Sequence, residues 1–443
     1  MLQASDNELL TRTGPGTAMG NLFKQFWLPV LLSKELPERD GPPFRIKVMD
    51  EELLAFRDSD GNVGLIEPRC SHRGADLFFG RNEEGGIRCA FHGFKFDVRG
   101  HCMEMPVIPR DENYERTRAR VGIKSYPTRE VADIIWAYFG PAQDVPELPM
   151  LEMTTVPPSH RFVSKKFQQC NWAQTVEGGL DTAHFSFLHQ AIDKTDHLKI
   201  MGASEAAASG DPNRMRWLND SIPKYTILEH EAGLVIGAAR QADDDKFYWR
   251  ITQFLLPSIN FSPGTFPGEL YHGQTRVPVS DTECWIYCYT WSPDRPLTEV
   301  ERNRLAGGHT IHATLREDYV PIRNRDNNYL MDRDEQRNVS FTGIKGLSEQ
   351  DAAIQDSQGY IHDRTRENLG PTDMGIVRFR RFVLEAARAL DQGQAPSAAT
   401  NPESFMVRGG ASVAARSVPL ADVMVGRFGD IHGRVRDLQV AGE

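Results

Sequence analysis

Cys70-Ser71-His72 and, after sixteen intervening residues, Cys89-Ala90-Phe91-His92 are the stretch on which the reading of this chain turns. Each half supplies one thiolate and one imidazole. Gly74 stands two residues after the first histidine and Gly93 directly follows the second, as expected of tight loops that wrap a metal cluster and turn backbone N–H groups toward it. Two sulfide-bridged irons suit such a set, with two cysteines on one iron and two histidines on the other. A structural zinc site is the alternative. Zinc modules usually pair Cys with Cys and His with His, so the alternation seen here, among short strands, fits zinc less well.

The surroundings predict a small β-domain. Phe44, Ile46 and Val48 alternate with basic residues, a second apolar run ends at Phe56, and the turn Asp58-Ser59-Asp60-Gly61-Asn62 leads into Val63-Gly64-Leu65-Ile66. The domain closes with a strand over Asp133–Phe139, and the Pro-rich passage 146–158 reads as a linker. Beyond it, Cys284–Trp291 reads as a strand with its aromatics on one face. Cys284 and Cys288 share the other face, too far apart along a strand to chelate one ion and better suited to the core. Met374–Leu390 has helical spacing with Gly393 as its stop. Ala203–Asn213 reads as a mobile loop, and the chain past residue 395 is weakly patterned.

The 443 residues, 40% hydrophobic and 25% charged, suit two or three globular domains. With 51 Lys+Arg against 61 Asp+Glu the formal charge is −10, which gives no electrostatic footprint for nucleic acid. No run approaches the ~20 apolar residues of a membrane helix. The first residues show neither a basic start nor an apolar run, so no secretory signal is expected. Six cysteines are too few for a disulfide framework at this length, and a cytoplasmic location follows. Neither G-x-G-x-x-G after a strand nor a P-loop is present.

A second constellation lies downstream, in Glu177-Gly178-Gly179-Leu180-Asp181-Thr182-Ala183-His184-Phe185-Ser186-Phe187-Leu188-His189. Two histidines five apart point ~140° from each other on a regular helix, so both face one ion only where the helix is distorted or ends. Alone they also read as satisfied structural histidines. With one carboxylate from elsewhere in the fold they would make the two-histidine, one-carboxylate face that holds O₂-activating Fe(II).

The first motif resembles the oxygenase type of Rieske [2Fe–2S] site. Respiratory-chain Rieske proteins add a disulfide-bonded cysteine to each loop, where Ala75 and Phe91 stand here, and oxygenases usually have Tyr-His-Gly-Trp where this chain has Phe91-His92-Gly93-Phe94. The second motif resembles the iron segment of Rieske non-haem iron oxygenases, Glu-x3-Asp-x2-His-x4-His, at Glu177, Asp181, His184 and His189. Over most of its length the chain is similar to the phthalate dioxygenase branch of their large (alpha) subunits, supported by the arm Leu9–Gly20 and by Trp27-Leu28-Pro29-Val30-Leu31.

The resemblance implies an α+β fold: an N-terminal arm (1–26), a small all-β Rieske domain (27–145), a larger catalytic domain with an antiparallel sheet and flanking helices (146–395), and a C-terminal tail (396–443). It implies a [2Fe–2S] cluster on Cys70, His72, Cys89 and His92, and mononuclear Fe(II) on His184, His189 and Asp351. Read without the family, Asp351 would serve a capping box begun by Ser348; Asp356 is the reserve ligand. Asp181 is given a bridging role, bonded to His184 and reaching His92 of a neighbouring copy to pass electrons, which implies a ring of subunits, a homotrimer or hexamer. O₂ is the co-substrate. NAD(P)H is oxidised by a separate reductase of flavin and iron–sulfur type. The implied substrate is an aromatic carboxylate such as a phthalate, benzoate or phenoxybenzoate. Monooxygenation or O-demethylation of an aryl ether, and an electron-transfer-only Rieske protein, stay open beside this reading. Arg250 is the candidate cation for a substrate carboxylate, with a surface ion pair as its alternative; Arg240 and Lys224 are weaker candidates.

Overall fold

The computed structural model describes residues 2–192, 220–263 and 270–428; the expected loop at 203–213 lies outside them. Two compact units emerge, one of residues Thr13–Leu148 and one of Met1–Arg12 with Pro149–Glu443.

The smaller unit is built of short antiparallel strands. Trp27–Leu32 pairs with Ile134–Tyr138, which pairs with Thr128–Val131. Phe44–Val48, Glu51–Arg57 and Val63–Ile66 form a meander, at the strands expected from the alternation and the Asp-Gly turn. A four-stranded sheet of Arg81–Glu83, Gly86–Arg88, Lys95–Phe96 and Cys102–Glu104 carries the second cysteine loop. Leu54, Phe56, Ile66, Leu77, Ile87, Phe94 and Phe96 form one core, into which Cys70 and Cys89 are also buried.

The larger unit rests on an eight-stranded antiparallel sheet. From one edge the order runs Arg161–Gln168, Glu283–Trp291, Tyr271–Ser280, Ile259–Ser262, Lys246–Leu255, Gly233–Gln241 and Lys224–His230. Cys284 and Cys288 are fully buried, as core packing requires. The helix Met374–Asp391 buries Phe379, Val383, Leu384 and Ala387, and Gly393 follows at φ +83°.

Three boundaries differ from the sequence reading. The arm is divided: the helix Ala4–Thr11 belongs to the larger unit, where Asn171 and Trp172 side chains donate to the Thr11 and Leu10 carbonyls at 2.9 and 3.2 Å. The Pro-rich passage is no free linker, because Glu152 is buried and accepts from Trp291 Nε1 at 2.9 Å and from Arg408 Nε at 2.7 Å. The tail is part of the sheet: Gly410–Ala415 pairs with Lys246–Ile251, and the helix Leu420–Phe428 packs beside it. In each case the partner is distant in sequence, so local pattern carries no trace of it.

Candidate metal centres

The two cysteine loops share one backbone design. Cys70 N donates to Ala75 O at 2.8 Å and Gly74 N to Cys70 O at 2.8 Å; Cys89 N donates to Phe94 O at 2.8 Å and Gly93 N to Cys89 O at 3.0 Å. Each loop closes through a glycine of positive φ, +72° at Gly74 and +75° at Gly93, a conformation open to glycine and strained for L side chains. At Gly93 a Cβ would also meet Pro106 Cγ at 2.8 Å.

This repeat sets two thiols and two imidazoles against each other. The His72 and His92 rings lie 4.6 Å apart at 80°, and His72 stacks on Phe94 at 4.4 Å. Burial, followed by its neighbour Cys89, pushes the Cys70 thiol up to about 11, and a bound cation would hold such a thiol as its thiolate. His92 Nδ1 is buried without a hydrogen-bond partner. An orphaned lone pair beside two facing buried thiols fits a two-cysteine, two-histidine [2Fe–2S] cluster.

The second centre forms because a helix stops. Trp172–Leu180, N-capped by Asn171 whose side chain accepts from Ala173 N, ends at an extended Asp181, and His184–Ser186 makes a separate 3₁₀ turn. With the helix broken, the ~140° divergence disappears. His184 Nε2 lies 3.2 Å from His189 Nε2, and Asp351 Oδ1 is 3.4 and 3.1 Å from the two nitrogens. Among the described residues these three form the one group of His, Cys, Asp and Glu whose ligand atoms, all within 4.8 Å of one another, could hold a single metal ion. With bonds of ~2.1 Å, ligands at right angles sit ~3 Å apart, so these separations match three adjacent corners of an octahedron.

Hydrogen bonds aim both rings. His189 Nδ1 is 2.7 Å from Gln350 Oε1, whose amide nitrogen donates to Ile344 O at 2.8 Å. His184 Nδ1 is 3.4 Å from Asp181 Oδ2, and Asp181 Oδ1 accepts from Ala183 N at 2.7 Å. With their Nδ1 protons so engaged, both rings present an Nε2 lone pair to the centre. Burial lowers the His184 pKa, but Asp181 and Asp351 outweigh it and lift the pKa to about 10. Burial raises the Asp351 carboxyl, yet His189 and His184 hold it well below the usual carboxylate range. The site therefore favours positive charge at its middle.

Asp351 lies in the helix Leu347–Ser357, which starts at Gly346 with φ +90° and has no side-chain cap; Ser348 instead accepts from Lys166 Nζ. The capping-box reading fails for that reason. Asp356 lies apart from the trio, accepting from Tyr329 Oη and from Gln168 Nε2 at 3.1 Å. Glu177 is held by Arg364 and Arg380, with bonds of 2.7 to 3.0 Å. Arg250 is 6% exposed and its guanidinium sits 4.7 Å from the Phe185 ring, between the two iron-site histidines in sequence. Arg240 is fully buried and donates to Thr182 O at 2.8 Å, bracing the Asp181–His184 turn, whereas Lys224 is exposed. Sequence reading missed Gln350 and the Arg240 brace; the position of Gln350 beside Asp351 was the one local signal for either.

Comparison with known proteins matches residues 26–127 to the Rieske [2Fe-2S] domain and 137–408 to the domain described as LigXa C-terminal domain like. The chain belongs to the Rieske oxygenase family. It is 34% identical to the 3-chlorobenzoate-3,4-dioxygenase oxygenase subunit of Comamonas testosteroni, over 88% of this chain and 89% of that one. It is 36% identical to the phthalate 4,5-dioxygenase oxygenase subunit of Pseudomonas putida, over 89% and 88%. The 5,5'-dehydrodivanillate O-demethylase oxygenase subunit of a Sphingobium species is 29% identical over 90% and 83%. The Pseudomonas putida protein NdmA, solved with caffeine, shares the fold at a TM-score of 0.57 and 14% identity, over 91% of this chain and all of that one. As a Rieske oxygenase this chain is an oxidoreductase, and its two donor sets match the iron–sulfur and non-haem iron centres of that family. Among the described residues no helix is long and apolar enough to cross a membrane.

Proposed function

We propose that this Rieske oxygenase is the terminal component of a system that hydroxylates, chiefly as a dihydroxylation, an aromatic carboxylate such as a phthalate, benzoate or phenoxybenzoate. Its electrons come from a separate NAD(P)H-oxidising reductase of flavin and iron–sulfur type. Convergence of His184, His189 and Asp351 within 4.8 Å, on a chain that also carries the paired cysteine loops, is the observation behind this reading. Near-full-length similarity to a chlorobenzoate and a phthalate dioxygenase subunit supports the substrate class.

Cys70, His72, Cys89 and His92 would hold the cluster, and His184, His189 and Asp351 the mononuclear iron. When bound, these centres supply one-electron transfer and O₂ activation. Gln350 and Asp181 fix the tautomers of the two histidines. Asp181 is assigned the bridge to His92 of a neighbouring copy, in a homotrimer or hexamer. Arg250, buried against Phe185, is assigned to the substrate carboxylate, since its fork matches two oxygens. Similarity to an O-demethylase subunit favours a second outcome on the same machinery, insertion of one oxygen atom into an aryl ether methyl.

The test is product analysis. Benzoates, phthalates and aryl ethers are supplied with a reductase, NAD(P)H and ¹⁸O₂; a diol carrying two labelled atoms is expected from a carboxylate. One labelled atom, or formaldehyde from a methyl ether, selects the monooxygenase. No product, with ~2 rather than ~3 irons per chain, leaves an electron carrier and overturns the proposal.

A further inference from the structure

The helix that leads to His184 and the helix that carries Asp351 meet more closely than ordinary side chains allow. In Trp172–Leu180, Gly178 and Gly179 stand side by side in ordinary helical backbone. Apart from proline, glycine is the poorest helix former, and no left-handed φ calls for it at either position. Space does. A Cβ at Gly178 would lie 2.2 Å from Gln355 Nε2 and 3.0 Å from Gln355 Cδ; one at Gly179 would lie 2.6 Å from Arg276 Nη2 and 3.0 Å from Asn260 Oδ1. One glycine thus seats the helix against Leu347–Ser357, and the other seats it against two strands of the sheet.

The contact is stitched from several sides. Gln355 lies one helical turn beyond Asp351, on the same face. Gln168 Nε2 donates to Gln355 Oε1 at 2.9 Å, and Gln174 Nε2 donates to the Gln355 carbonyl at 3.1 Å. The next residue, Asp356, accepts from Tyr329 Oη at its carboxylate and from Arg325 at its carbonyl, which anchors the same helix on another segment. At the sheet, Asn260 Nδ2 donates to the Gly179 carbonyl at 3.2 Å and Arg276 Nη2 to that of Thr175 at 3.0 Å.

The iron-site trio divides between these two helices. Asp351 moves with Leu347–Ser357, and so does Gln350, whose Oε1 is 2.7 Å from His189 Nδ1. His184 follows Trp172–Leu180 through Asp181. A methyl at residue 178 must either break the Gln168–Gln355 bond or open the contact by ~1 Å to reach a van der Waals separation of ~3.5 Å. A metal site tolerates only ~0.2 Å in its bond lengths. We infer that Gly178 and Gln355 form the spacer that sets the separation of His184 from Asp351, and so act as positioning residues for the iron site. The inference rests on the mononuclear-iron reading given above and adds to it the pair that tunes metal affinity.

The experiment is anaerobic titration of Fe²⁺ into the full chain that carries its [2Fe–2S] cluster and has been cleared of mononuclear iron by a chelator. Gly178→Ala is expected to weaken Fe²⁺ binding ~10–100-fold, with the cluster spectrum unchanged. Gln355→Ala in the same chain makes room for the methyl, so the double variant should bind Fe²⁺ within about threefold of Gln355→Ala alone; a general loss of structure would not be recovered in this way. Wild-type affinity in Gly178→Ala, or a loss that persists in the double variant, overturns the spacer. If Gly178→Ala does not fold, the double variant decides: it should fold and bind Fe²⁺ as Gln355→Ala does, and failure to do either overturns the inference. A wild-type chain that takes up no Fe²⁺ beyond its cluster would instead sink the iron-site reading.

Discussion

At the residue scale, the second centre depends on which atom of each side chain faces inward. Gln350 and Asp181 hold the Nδ1 sides of His189 and His184, leaving the Nε2 lone pairs to converge with Asp351. Asp351→Ala is expected to remove the mononuclear iron and abolish turnover while the visible spectrum of the cluster persists; metal analysis should fall from ~3 to ~2 irons per chain. Asp181→Asn should keep both metals, since an amide oxygen still accepts from His184, yet lower single-turnover product formation by ~10–100-fold. A normal rate would remove Asp181 from the electron path. The proximity of His184, His189 and Asp351 was foreseen in sequence through spacing and family pattern. Gln350 and the Arg240 brace were not, because what marks them is a spatial partner rather than a residue type.

At the element scale, the stop at Leu180 does what no regular helix could. Trp172–Leu180 must be rigid enough to place Asp181 and His184, and it is anchored through Glu177. Arg364 and Arg380 grip Glu177, and Arg380 also holds Glu367 at 2.5 and 2.8 Å. Taking one charge out of such a buried network strands the others, so Glu177→Gln should destabilise the larger unit by ~3–5 kcal/mol, read from its denaturant transition. The network also sets an acid limit. Burial raises the Glu367 carboxyl, but His362 and Arg380 outweigh it and bring it down to about 2. A carboxyl depressed on folding contributes stability above its unfolded value near ~4.5, and that contribution is lost as pH falls from there toward 2. A melting temperature of the larger unit that holds steady from pH 5 to 3 would contradict this. The meander from Phe44 to Ile66, the strand Ile134–Tyr138, the strand Glu283–Trp291 and the helix Met374–Asp391 were readable, because their periodicity is local.

At the scale of the whole molecule, the segments 2–12 and 410–428 are structural parts of the catalytic unit. Residues 2–12 cover the helix that leads to His184, with Leu10 fully buried. Removing residues 1–12 should lower the melting temperature of the larger unit by ~5 °C or more and leave the cluster spectrum unchanged, as calorimetry and visible absorbance would show. Unchanged melting would return the arm to the separate status its Gly/Pro-broken sequence suggests. The sequence by itself determined the kind of donor chemistry, paired Cys/His loops and a close pair of histidines, and the order of its two units, since both are written in short-range spacing. Only the tertiary structure decided how the segments 2–12 and 410–428 join the larger unit, which acid among Asp351, Asp356 and Glu177 faces the histidines, and that Arg240 braces the turn at Thr182. Those choices depend on contacts between segments tens to hundreds of residues apart, and packing and burial, unlike periodicity, leave no local imprint on a single sequence.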